Sequence, residues 1–227
     1  MELTNPLLHA LLVACDQSYN PSPSGALDAY LDSGSADAGA NLMPTNWQPD
    51  LSGWVVHDRY YDQNTGFGAV VYKKPAAEGK FDYIVAMQGT RGPSAQDWHG
   101  NLTYGWEKFV ASDGGQKLMT DLLKAEFVST TNQINFTGQS LGGALAEYAA
   151  YRYAEGRRDD PTFNKNNLSL TTFNGLGGLE ALSTRYQQDF GRPFDPTLFS
   201  GVATRHYSIT NDIVNRLGGG HLNGSGN

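Results

Sequence analysis

The six residues Gly138-Gln139-Ser140-Leu141-Gly142-Gly143 constrain this chain more than any other stretch. They join a run that reads as a strand, Gln133 to Thr137, to an apolar, alanine-rich run from Leu141 to about Tyr153 that reads as a helix. A serine on so sharp a strand-to-helix turn takes an unfavourable backbone conformation, and its neighbours must lack side chains. Gly138, Gly142 and Gly143 meet that demand. The start of a helix also aims free backbone N–H groups and the positive dipole end at any oxyanion formed there. The plainer alternative is that Ser140 only caps its helix. Because the chain contains 27 glycines, the G-x-S-x-G spacing alone is weak; the strand before it and the helix after it carry the inference.

The rest of the chain fits a sheet built around that turn. Residues 18–52, rich in Ser, Pro, Gly, Ala and Asp, read largely as loop. Trp54 to Arg59 and Gly66 to Tyr72 read as the strands of an antiparallel hairpin turned at Asp62 to Gly66. Tyr83 to Met87 is continuously apolar, as a strand covered on both faces should be. Then come a helix over Lys117 to Val128, with Leu118, Leu122 and Ala125 on one face, and strands at Leu168 to Phe173 and Ala203 to Ile209 around a helix at Leu179 to Gln188. Such alternation predicts an α/β fold, a mostly parallel central sheet with helices on both faces, in a single domain over residues 1–227. The Gly-rich tail, 218–227, reads as loop and as a candidate truncation point.

Composition narrows the functional classes. A net charge of −7 leaves no basic footprint for nucleic acid. The histidines His9, His57, His99, His206 and His221 are scattered, none paired with another at ligand spacing, so no metal and no cofactor are expected. The lone cysteine, Cys15, falls on an apolar helix face and reads as core. Leu7 to Cys15, with Asn5-Pro6 before it and no preceding Lys or Arg, reads as a docking helix rather than a Sec-type signal. No run approaches the ~18 apolar residues of a membrane span. Compartment and oligomeric state stay open.

The strand ending in Met87-Gln88-Gly89-Thr90-Arg91-Gly92 puts a hydroxyl residue at the carboxyl end of a central strand, where α/β sites form. Thr90, through its N–H and hydroxyl, and Leu141, through its N–H, are the candidate oxyanion donors; an ordinary strand-to-loop turn is the alternative for Thr90. At this point a resemblance becomes specific. The segments Ile84 to Gly92 and Ile134 to Ala146 resemble the fungal-type class 3 lipases, with weaker matches in the same order at Gly66 to Ala69, at Asp97-Trp98 with Asn101-Leu102, and at Thr172 to Gly175. The resemblance covers roughly residues 53–217 and departs from the family pattern at Gln88 and Gln139. It implies the α/β-hydrolase fold and a serine carboxylic-ester hydrolase, lipase or esterase, acting on a lipid or small ester.

In that fold the catalytic residues follow the order Ser, Asp or Glu, His. Thr210-Asn211-Asp212-Ile213-Val214-Asn215 resembles the family segment that carries the acid, with Asn215 where proline is usual, and the resemblance makes Asp212 the triad acid. A simple Asn-Asp turn is the other reading. His221 is the histidine that follows Asp212, so chain order nominates it as base, although family members place theirs several tens of residues further on. A base beyond Asn227, in a longer chain, is the alternative. Trp98, Leu102 and Trp106 share one helical face, which fits either a helix packed permanently on the sheet or a lid presenting Trp98 and Leu102 to lipid. Two other functions remain open: a phospholipase A1-type effector or toxin domain of a larger protein, and a non-catalytic binding domain on the hydrolase fold.

Overall fold

The computed structural model describes residues 5–18, 53–89, 102–208 and 220–224. Helix α1 (Asn5–Gln17) precedes strands β1 (Val55–Asp62), β2 (Phe67–Pro75) and β3 (Phe81–Met87). Helices α2 (Leu102–Val110), α3 (Asp113–Leu122) and α4 (Ala125–Thr130) lead to β4 (Thr131–Gln139) and the long helix α5 (Leu141–Gly156). Strand β5 (Leu168–Phe173), helix α6 (Leu179–Phe190) and strand β6 (Ala203–Tyr207) follow. The six strands lie side by side in sequence order. The pairs β1–β2 and β2–β3 are antiparallel, and β3 to β6 run parallel.

Alternation along the strands sorts the core into two faces. Val70, Tyr72, Ile84 and Ala86 pack under α1 with Ala10, Leu11, Val13 and Ala14. The neighbouring residues Ala69, Val71, Tyr83, Val85 and Met87, with Ile134, Phe136, Leu168 and Leu170, face the layer of α2, α3 and α5. Helices therefore cover both faces, as the βα alternation predicts. Cys15 is buried on the α1 side, its sulfur 3.1 Å from the Thr137 hydroxyl. It is a core residue. Among the described residues no helix is long and apolar enough to cross a membrane.

One expectation needs correction. The single helix over Lys117 to Val128 is two helices, because Lys124 adopts an extended conformation (ψ 144°) and starts α4 afresh. Apolar spacing continues through Leu123 and hides that break. Ala125 is consequently exposed, while Leu118 and Leu122 are buried as expected. Of the stripe Trp98, Leu102, Trp106, the last is fully enclosed, edge-on to Tyr148 and Phe190 at ring-centroid distances of 5.0 and 5.9 Å. Trp98, the side chain of Leu102 and His99 lie outside the described residues.

Removing Trp106 empties the junction of α2, α5 and α6. Trp106→Ala should cost about 3–5 kcal/mol of stability, read from the urea unfolding midpoint.

Candidate active site

One register row organises the carboxyl ends of the parallel strands: Met87 sits beside Gly138, Gly138 beside Thr172, and Thr172 beside His206. Ser140 follows at the end of β4, with φ 56° and ψ −128°, a region that residues bearing a Cβ rarely occupy. Its N–H donates to the Phe173 carbonyl at 3.2 Å, and its own carbonyl accepts from Gly143 and Leu176, each at 2.9 Å. Leu141 opens α5, so its N–H is one of those a helix leaves without an internal acceptor.

The surrounding backbone comes too close for side chains. A Cβ on Gly138 would sit 2.0 Å from the Gly142 carbonyl oxygen, one on Gly142 would sit 2.4 Å from that of Met87, and one on Gly143 would sit 2.6 Å from the Gly175 Cα. Gly142 thus lets the end of β3, where Gln88 and Gly89 lead to Thr90, press against the start of α5. Thr90 itself lies outside the described residues, as does Asp212.

His221 is described, and its partner is one that sequence reasoning missed. Its Nδ1 lies 2.7 Å from Oε1 of Glu147, a residue with no solvent exposure on α5. Oε2 of the same carboxylate accepts the backbone N–H groups of Gly178, at 2.8 Å, and Leu222, at 2.9 Å. Burial pushes the Glu147 carboxyl up, against the opposing pull of His221 and the two backbone donors. The signal in the sequence was one acid among Ala144, Leu145, Ala146, Tyr148, Ala149 and Ala150, on a helix buried on every side through Tyr151. Such an acid demands polar partners.

His206 lies against a face of His221, the rings stacked at 4.2 Å with planes 20° apart. Its Nε2 faces the Leu222 carbonyl at 3.1 Å. A carbonyl only accepts, so Nε2 carries the proton, and Nδ1 accepts from the Thr172 hydroxyl at 2.8 Å. Burial, then the adjacent His221, lower the His206 pKa to about 4, and it stays neutral near pH 7. The fold therefore gathers Glu147, His206 and His221, their donor atoms within 4.8 Å of one another, although no spacing in the sequence announces the group. Such a set would suit a metal in type. Its geometry favours hydrogen bonding, because stacked rings direct their in-plane lone pairs side by side rather than at one point, and both His206 nitrogens are already engaged.

Residues 220–222 are drawn onto the same framework that holds Ser140. Leu179 donates to the Gly220 carbonyl at 3.2 Å, three residues after Leu176 has bonded to the Ser140 carbonyl. A mostly parallel sheet whose central strand passes into a buried helix through a strained serine is the arrangement of the α/β-hydrolase fold. Residues 24–189 match the Tle-like phospholipase domain, a phospholipase-like family, and the chain belongs to that family. No curated protein sequence matches it. Among solved structures it is similar to Rhizomucor miehei triacylglyceride lipase (TM-score 0.53, 14% identity, covering 94% of this chain and 73% of that one). It is also similar to lipase II from Rhizopus niveus (TM-score 0.51, 14% identity, 92% and 73%). Against the native Rhizomucor miehei lipase propeptide complex the TM-score is 0.51 at 15% identity, and the match covers 94% of this chain but 62% of that one. At these identities the likeness is one of fold.

The depressed His206 pKa has a stability consequence. The unfolded chain binds a proton at His206 below pH ~6.5 that the folded chain refuses until about pH 4, so stability falls as pH drops through that window, by up to about 3 kcal/mol. His206→Gln keeps a donor for Leu222 and removes the titration. Urea midpoints at pH 7 and pH 4.5 should therefore differ less for the variant than for the wild type.

Proposed function

We propose that this domain hydrolyses carboxylic esters of lipids, phospholipids first among them, through an acyl-enzyme formed on Ser140. The carrying observation is the Ser140 backbone, φ 56° and ψ −128°, at the junction of β4 and α5. A serine that only caps a helix sits in the ordinary extended region and needs no such conformation. Membership of a phospholipase-like family and a fold similar to that of lipases support the same reading.

The chemistry is acyl transfer to water. The Ser140 hydroxyl attacks the ester carbonyl carbon while its proton passes to Nε2 of His221, and the carbonyl π electrons move onto oxygen. The N–H groups of Leu141 and Thr90 stabilise that oxyanion. Collapse breaks the bond to the alcohol, which leaves with the proton from His221. Water then repeats the sequence on the acyl-enzyme, releasing fatty acid and restoring Ser140. A carboxylate on the Nδ1 side of His221 keeps Nε2 the proton acceptor, and the family resemblance nominates Asp212 for that place.

Ser140→Ala should lower turnover of p-nitrophenyl butyrate and of phosphatidylcholine vesicles by at least ~10³-fold while leaving the thermal midpoint nearly unchanged. A variant as active as wild type contradicts the proposal. A wild type that binds such vesicles yet releases no fatty acid from any ester would favour the binding-domain reading.

A further inference from the structure

Glu147 lies on α5 one turn beyond Gly143, on the same helical face. Gly143 packs on Gly175 and Thr172, so the next turn carries Glu147 beneath His206 and His221. Burying a carboxylate is expensive. Packing alone would be served at least as well by an apolar side chain of similar volume. Among the described residues no Lys or Arg pairs with Glu147; its acceptor sites are taken by two backbone N–H groups and one imidazole. This is a fixed carboxylate aimed at one ring nitrogen.

We propose that Glu147, from the helix that follows the nucleophile, is the positioning carboxylate of His221, in the place that the family pattern gives to Asp212. The proposal rests on the reading of Ser140 as nucleophile and His221 as base. An imidazole has one Nδ1–H, and with Glu147 as its acceptor the 2.7 Å contact takes it. Nε2 is then the nitrogen left to accept a proton. The ring plane is fixed as well. His206 stacks on it, and Leu222 links the two partners, giving its N–H to Glu147 and its carbonyl to His206. The titratable groups against the ring among the described residues are Glu147 from α5 and His206 from β6.

The two backbone donors on Oε2 make the proposal sharply testable. In Glu147→Gln the amide must turn its oxygen towards Gly178 and Leu222, because its NH₂ would oppose their N–H groups. The NH₂ then faces Nδ1 and forces His221 to carry its proton on Nε2, the tautomer that cannot accept from serine. The shape of the site is preserved and the proton is misplaced.

The experiment combines ¹⁵N spectra of histidine-labelled protein at neutral to mildly alkaline pH with ester hydrolysis by E147Q, D212N, S140A and H221A. The wild type should show His221 as Nδ1–H with bare Nε2, a result that needs no variant to fold; the opposite tautomer overturns the proposal. E147Q should switch the tautomer and lower kcat by ~10³–10⁴-fold with little change in KM, the scale known for a misplaced triad proton. In D212N the His221 tautomer should remain that of wild type. If S140A or H221A hydrolyses esters like wild type, the underlying reading fails. If both are inactive while E147Q keeps kcat within about tenfold of wild type, the role of Glu147 alone is overturned. A tautomer switch in D212N but not in E147Q also overturns it and assigns the carboxylate to Asp212.

Discussion

Backbone pressed against backbone around Ser140 is the constraint from which the rest of the site follows. The carbonyl of Gly142 meets Gly138, the end of β3 meets Gly142, and Gly175 meets Gly143, each closer than a methyl group allows. These contacts hold β3, β4, β5 and α5 in one block around Ser140, whose backbone lies in a region that costs roughly 1–3 kcal/mol for a residue with a Cβ. Burial on both faces of the sheet, under α1 on one side and α5 on the other, supplies the stability that keeps this turn strained.

A second constraint is electrostatic. Glu147 places an ionisable group in a buried stretch of helix, Leu141 to Tyr151, that is otherwise Leu, Ala, Gly and Tyr, and the fold answers it with donors from the start of α6 and from residues 221–222. Residues 221–224 are thereby held against α5 and β6. Gly224 donates to the Thr204 hydroxyl at 3.0 Å, His206 holds Leu222, and Glu147 holds both His221 and Leu222. Steric and electrostatic demands meet in residues 174–179, which bond to Ser140 at Leu176, to Glu147 at Gly178 and to Gly220 at Leu179.

What could be read in the sequence was what local sterics and periodicity encode. The strand from Tyr83 is legible because both-face burial leaves a continuous apolar run, those from Gln133 and Leu168 because Ile134 and Phe136, and Leu168 and Leu170, alternate with polar residues, and the Ser140 turn because its glycines are neighbours in the chain. The break between α3 and α4 is hidden because Leu123 continues the apolar spacing. Glu147 and His221 were illegible as a pair for another reason: 74 positions separate them, and their contact is made by the tertiary fold alone. Chain order named His221 without naming its partner. The acid in an apolar helix was the signal available, and it indicates an unmet polar demand without saying what meets it.

The central claim is that the strained residue of this turn is the nucleophile. Its most direct test is the site of covalent capture. After treatment with a fluorophosphonate, digestion and tandem mass spectrometry should locate one stoichiometric adduct on Ser140, with none after heat denaturation. Stable phosphonylation of another residue in the folded protein, or no adduct in protein that is actively hydrolysing ester, would contradict the account.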